Sequence, residues 1–228
     1  MQLNTVNRLA TLMVILFVYN YGRAASFGVD DPGASALNSR VAQFELTDAT
    51  IIDGLSKLSD ESITGLHVGI EEIIQDKASE HTDRSVRFSV SLHNVSVRDI
   101  VDTLCKSDRR YTWSIDGGTV NIYPRETVGN SSYLLNRELD LITLRNINEP
   151  SDALTSLMKL LPGEQLGCAQ VGLYNRYPKP WSTAFSNLTV RQLMNRLSEH
   201  DGPRGAWIWS GSQGQRFFAY FERGFKRF

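Results

Sequence analysis

The residues with the most chemical potential in this chain are four histidines and one pair of adjacent acids. No two histidines have the i, i+4 spacing that places two ligands on one face of a helix, and they lie far apart: His67, His81, His93 and His200. Glu71 and Glu72 could act as acid–base carboxylates, but nothing close in sequence would tune the pKa of either. The sequence therefore predicts no catalytic residue, no metal site and no cofactor.

The sequence points to binding more than to catalysis, because two pairs of strand-like segments, each expected to form a hairpin, are rich in aromatic side chains. Alternate residues of a strand face opposite sides, and the second hairpin, residues 207–221, carries apolar side chains on both. Either both faces are covered inside the protein or one face meets a partner. The candidate interaction surface comprises the aromatic residues of both hairpins: Tyr111, Trp113, Tyr123, Trp207, Trp209, Phe218 and Tyr220.

These hairpins follow an internal repeat. Residues 94–104 recur as residues 187–197, with apolar side chains at helical spacing and with Ser96 and Thr189 as helix caps. A repeat implies two copies of one structural unit. We therefore expect an α+β fold of two tandem β-α-β-β-α-β-β units, each with two helices on a small mixed sheet.

The composition along the chain sets the expected boundaries. Polar, glycine-rich stretches separate the periodic segments. The expected parts are a signal peptide or short anchor (1–25), a linker (26–40), a first unit (41–124), a hinge (125–138) and a second, diverged unit (139–228).

The first unit resembles a known family. The resemblance rests on residues 44–47 (FELT), 52–58 (IDGLSKL), 64–68 (TGLHV) and 90–104, followed by the hairpin that ends in 117–122 (GGTVNI). In this order they are similar to the secretin and TonB short N-terminal (STN) domain, over residues 41–124. The resemblance implies a periplasmic protein-interaction module of a Gram-negative bacterium, associated with an envelope secretion or receptor system.

The N-terminal segment predicts export. Residues 1–25 contain no acid, Arg8 precedes an apolar run, and small residues follow, with a cleavage site expected after Ala24. The apolar run is shorter than the roughly 20 residues that span a bilayer. An uncleaved inner-membrane anchor remains the alternative, and this segment is the only membrane contact that we expect.

Charge and cysteine content narrow the function further. The chain has 24 basic and 25 acidic residues, which argues against a broad nucleic-acid surface. An exported chain permits a disulfide between Cys105 and Cys168, and burial of a free thiol is an equally good interpretation. Two cysteines alone do not form a zinc site.

The sequence thus predicts a non-catalytic, exported protein-interaction module, most simply periplasmic. Its expected partner is a protein of the cell envelope, bound by strand addition at an exposed sheet edge. Two alternatives remain: a periplasmic enzyme with a site between the two units, converging on His67, His93, Glu71 or Glu72, and a protein that binds an envelope polymer or ligand through Trp181 and Trp207. The oligomeric state does not follow from the sequence.

Overall fold

The computed structural model describes residues 32–59, 66–73, 86–161, 166–171, 179–200, 206–212 and 215–221. All of them belong to one unit of the chain, Pro32–Phe228. The fold is α+β, as the sequence predicts. The expected leader, residues 1–25, lies outside the described residues. No helix within the described ranges is long and apolar enough to cross a membrane.

The order of elements in the first half returns in the second half. The first half contains α1 (Pro32–Asn38), β1 (Arg40–Ala49), α2 (Ile51–Ser59), β2 (His67–Glu71), β3 (Phe88–Ser96), α3 (Val97–Ser107), β4 (Tyr111–Asp116) and β5 (Thr119–Pro124). The second half contains β6 (Glu138–Ile147), α4 (Pro150–Leu160), β7 (Leu166–Val171), β8 (Trp181–Thr189), α5 (Val190–His200), β9 (Ala206–Ser212) and β10 (Gln215–Phe221).

The repeated helices begin at the predicted caps. Ser96 accepts a hydrogen bond from the Asp99 amide at 3.1 Å, and the Asp99 carboxylate accepts one from the Ser96 amide at 3.2 Å. Thr189 and Gln192 make the corresponding reciprocal contacts at the start of α5. These contacts satisfy amides that a helix leaves without intrahelical partners, so each repeat fixes where its helix starts.

Each half also has a long two-stranded ladder, formed by β1 with β3 and by β6 with β8. The first strands of the two ladders have the same pattern of buried and exposed residues. Each register shifts near the end of the first strand. There Asp48 and Asn146 adopt φ values of 47° and 51°, a region that Asp and Asn tolerate better than most residues. The ladders therefore bend at the same place.

The remaining strands form one six-stranded sheet, in the order β4-β5-β2-β9-β10-β7. The sequence predicts a small mixed sheet for each half, and this six-stranded mixed sheet contains three strands from each half. Strand β2 of the first half pairs in parallel with β9 of the second half. We call this β2–β9 contact the central junction. At this junction the backbone N–H and C=O groups on the facing edges of β2 and β9 hydrogen-bond to each other, so neither edge is left unpaired.

The two halves place their helices on opposite faces of this sheet. Ala206 and Ile208 of β9 belong to the core of the first half, whereas Trp207 and Trp209 belong to the core of the second half. The strand directions are also reversed between the halves. Strand β4 of the first half runs antiparallel to β2, whereas its counterpart in the second half, β9, runs parallel to β2. The halves are thus related by about a half-turn around an axis that crosses the strands.

Two expected connectors are structured. The expected linker, residues 26–40, contains helix α1, whose Leu37 is fully buried. The expected hinge, residues 125–138, contains two 3₁₀ turns, Arg125–Thr127 and Leu134–Asn136. Leu134 and Leu135 are buried in the second core. Both connectors therefore carry short helical elements, because isolated apolar side chains in these polar segments are buried.

Candidate functional site

Strand β4 is one end of the six-stranded sheet, and among the described strands it pairs only with β5. Backbone groups of an edge strand point alternately towards its partner and away from it. In β9 the carbonyl of Trp209 points away from β10 and accepts a hydrogen bond from the Glu72 amide at 2.8 Å. Trp113 holds the same hairpin position, pairing with Ile122 as Trp209 pairs with Phe218. The backbone of Trp113 therefore points to the open side.

A groove of about 520 Å³ runs between α3 and this open edge. It is lined by three cationic side chains and one carboxylate, together with a thiol, a hydroxyl and an indole: Lys106, Arg109, Arg125, Asp102, Cys105, Thr112 and Trp113. The cationic side chains are exposed. Their charge disfavours a basic occupant and leaves neutral or acidic segments acceptable.

Trp113 forms a fixed wall of the groove. Its Nε1 donates a hydrogen bond to Asp102 Oδ1 at 2.8 Å. The Arg98 guanidinium lies 5.4 Å from the ring centroid, within the range of a cation–π contact. The half-buried indole is thus held from α3, and an incoming segment would meet a surface that is already ordered.

Cys105 lies at the base of the groove as a buried free thiol. Burial, and secondarily the charge of Asp102, raises the pKa of Cys105 to about 12. Because the thiolate is the nucleophilic form, the Cys105 thiol is a poor nucleophile at neutral pH. The disulfide with Cys168 is not formed: Cys168 is on β7, at the end of the sheet opposite β4.

Strand β9 is the counterpart of β4 in the second hairpin, and at the central junction β2 occupies the space beside it. Gly69 of β2 lies opposite Trp207 of β9, and a Cβ atom on Gly69 would stand 2.5 Å from the Trp207 ring. The indole Nε1 donates to Asn195 Oδ1 of α5 at 2.9 Å. Helix α5 therefore reaches past β9 and holds the ring against β2.

Polar contacts complete the junction. Arg191 of α5 forms an ion pair with Glu71, donates to Asn136 Oδ1 at 2.6 Å, and stacks 4.4 Å from the Tyr123 ring centroid. Burial raises the pKa of Glu71, and Arg191 opposes the shift. The Ser210 hydroxyl donates to the Glu72 carboxylate. Both predicted carboxylates therefore serve the contact between halves.

The β4–β5 turn also contacts α5. Gly118 N donates to Glu199 Oε1 at 3.1 Å, and Asn195 Nδ2 donates to Asp116 Oδ2 at 2.9 Å. Gly117, with a φ of 61°, supplies the left-handed residue that this short turn requires. One half thus presents a strand and a turn, and the other half receives both under its second helix.

The predicted interaction surface is corrected at four aromatic residues. Tyr111, Trp207, Trp209 and Phe218 are buried, with at most 4% of each exposed. They are buried because the core of each half and the shared sheet cover the hairpins on both faces. Trp113 and Tyr123 are half-buried, and the side chain of Tyr220 lies outside the described part. Since Trp207 is buried, it cannot serve as a stacking platform for a ligand.

Of the predicted acid–base residues, His93 does not meet Glu71. His93 is exposed on β3, whereas Glu71 is buried in the central sheet. Within the described ranges, no three His, Cys, Asp or Glu side chains form a metal-binding group. His81 lies outside those ranges.

The polar lining of the groove is not among the residues predicted from the sequence. Asp102 and Lys106 stand at helical spacing on the side of α3 opposite its apolar stripe, a pattern that could have identified them, and Arg109 lies in the turn that follows the helix. Arg191 was overlooked as well, although Arg98 holds its place in the first repeat.

No protein-family model matches the chain, and the comparisons with curated proteins and with solved structures give no match.

Proposed function

We propose that this protein is a non-catalytic interaction module that binds an extended segment of a protein partner by strand addition to β4. The observation that carries the proposal is the open β4 edge beside a preformed groove. Pairing with backbone supplies affinity that depends little on sequence, and side-chain pockets supply selectivity.

The central junction supports this mode of binding. There a hairpin strand of the same type, β9, already pairs in parallel with β2, under cover of α5. The groove between α3 and β4 occupies the corresponding position in the first half. A strand placed in it would gain backbone hydrogen bonds from Trp113 and Ile115, which share one set of alternating positions.

The proposed setting is the periplasm, with the expected leader as the export signal and the resemblance to the STN family as its support. The engagement of Glu71 by Arg191 and the raised pKa of the Cys105 thiol support a binding role over a catalytic one. The proposed partner belongs to the cell envelope and contributes a neutral or acidic segment.

Site-specific photocrosslinking tests the proposal. A photoreactive amino acid at Thr112, which lines the groove, should capture a partner in native envelope extracts, and peptide mapping should place the crosslink on an extended segment. The Ile115→Pro variant removes an amide on the open side while leaving the ladder to β5, and capture should be lost. The Ile115→Val variant retains the amide and should retain capture. Equal capture by the two variants, both folded by circular dichroism, would refute strand addition.

A further inference from the structure

The two ends of the six-stranded sheet are the counterparts of the two strands that meet at its centre. In each half a hairpin is extended by one parallel strand: β2 beside β5, and β7 beside β10. At the central junction the added strand of the first half meets the hairpin edge of the second half. Among the described strands, the sheet therefore ends in a second hairpin edge, β4, and a second added strand, β7.

We infer that a second copy of the chain continues the sheet, with β7 of one copy pairing in parallel with β4 of the next. This inference rests on the proposed function, because it names the occupant of the β4 edge. Each chain already contains one junction of this type, so a contact between copies would repeat it.

The observed registers specify the contact residue by residue. Gly69 pairs with Asn121, and Gly167 pairs with Phe217 at the same hairpin position. Gly167 is therefore the counterpart of Gly69, as Tyr111 is of Trp207. Transferring the central register places Gly167 opposite Tyr111 of the next copy, and then Cys168 opposite Thr112 and Ala169 opposite Trp113.

Gly167 of β7 matches Gly69 of β2, the residue that allows close contact at the central junction. At the central junction a Cβ on Gly69 would overlap the Trp207 ring, so the strand that crosses the ring must lack a side chain there. The chain has a glycine at the corresponding position of β7, and the transferred register places it opposite the backbone of Tyr111. The Tyr111 ring itself turns toward β2, where its hydroxyl accepts a hydrogen bond from the Ile73 amide at 3.2 Å. β7 also carries no charged residue over its sequence LGCAQV, which suits a groove rimmed by cations.

The groove has the place and the lining that this contact needs. Helix α5 reaches over β2 through Arg191, and it receives the β4–β5 turn at Asn195 and Glu199. The corresponding residues of α3, by the repeat, are Asp102 and Lys106, and both line the groove. The groove beside β4 is thus the counterpart of the space beside β9 that β2 fills at the central junction.

The contact between copies would be weaker than the central junction. Ala169 holds the position of Glu71, so the buried ion pair has no counterpart. Arg98, which corresponds to Arg191, instead stacks on Trp113. The Arg125 side chain also donates to the Tyr111 carbonyl at 3.1 Å and must turn aside. We therefore expect reversible, concentration-dependent association.

The geometry of such an assembly is head-to-tail. Since β4 and β7 are different surfaces, each added copy leaves one of each edge open, and the assembly extends until a rotation closes it. Each junction turns the next half over, so helices would alternate between the two faces of one continuous sheet after every third strand.

Disulfide trapping tests the register. Thr112→Cys is combined with Cys105→Ser, a change that the second repeat tolerates at Ser198. Partners in adjacent strands lie about 4.8 Å apart, within the range of about 4.4–6.8 Å between the Cα atoms of a disulfide. Oxidation should join the introduced thiol to Cys168 of another copy, as mapped by mass spectrometry. The control Ser114→Cys, with Cys105→Ser, stands two residues further, about 8 Å away by the same spacings, and should not crosslink efficiently.

Light scattering over a range of concentrations supplies the second measurement. The mean mass of the wild-type chain should rise about twofold or more by mass action, and Ile115→Pro should remain monomeric. A wild-type chain that stays monomeric, with no link to Cys168, would overturn the inference. If photocrosslinking at Thr112 still captures another protein, the proposed function stands although the contact between copies is refuted. If that capture fails as well, both are refuted.

Discussion

The substitution Gly69→Ala tests the central junction with a single methyl group. The added Cβ would stand 2.5 Å from Cε2 and Cζ2 of Trp207 and 2.7 Å from Asn121 Oδ1. The ring cannot move easily, because it is fully buried and its Nε1 is bonded to Asn195. Overpacking of this kind costs about 1–3 kcal/mol. For a chain of this size that loss lowers the melting temperature by about 2–12 °C.

Thermal and urea unfolding, followed by circular dichroism, measure this loss. Gly118→Ala is the matched control, because a Cβ there meets nothing within 4 Å, and it should change the unfolding free energy by less than about 0.5 kcal/mol. In a Trp207→Phe background, which removes Cζ2, Gly69→Ala should cost about 1 kcal/mol less than in the wild type. Equal costs in the two backgrounds, or wild-type stability of Gly69→Ala, would show that β2 does not lie against Trp207.

Three further predictions concern ionisation, capping and the thiol. Because burial raises the pKa of Glu71 above 4.5, its protonation stabilises the fold fully below pH 4.5, and this contribution is lost as the pH rises through the folded-state pKa. Glu71→Gln should remove a dependence of up to about 1.4 kcal/mol per pH unit from urea unfolding, and unchanged slopes would contradict the burial of this carboxyl. Ser96→Ala should destabilise the fold by about 1 kcal/mol, because it removes a helix cap. Hydrogen bonds from Ser96 also lower the pKa of Asp99, so an NMR titration of the variant should show a higher pKa for Asp99. An unchanged pKa would exclude the capping box. Cys105 should resist a thiol reagent at pH 8 in the native chain and react after unfolding in urea, whereas rapid native labelling would contradict its burial and its pKa of about 12.

Local patterns predicted the elements of this fold well, because each depends on short-range periodicity. The stripe of Val97, Ile100, Val101 and Leu104 and the cap at Ser96 specify α3 without reference to the rest of the chain. The repeat then predicted its counterpart α5. The two-residue turn at Gly117 and Gly118 likewise follows from the sequence alone.

The pairing of strands was harder to predict, because it joins residues that are remote in sequence. Arg191 and Glu71 are 120 residues apart, and no local pattern connects them. Without the β2–β9 pair, each hairpin has an uncovered edge, so Trp207 could be assigned to a binding surface as reasonably as to the core. Gly69 is a local indication that another side chain approaches this strand closely.

The central junction also determines when the fold can be completed. Glu72 and Ser210, which bond across it, are 138 residues apart. At a synthesis rate of about 5–20 residues per second, Ser210 is added roughly 7–28 s after Glu72. Local helices and hairpins form within microseconds, so β4, β5 and β2 have ample time to assemble before β9 exists. The closing event in folding is then the capture of a distant strand across a long loop, whose entropic cost is met only when the junction forms.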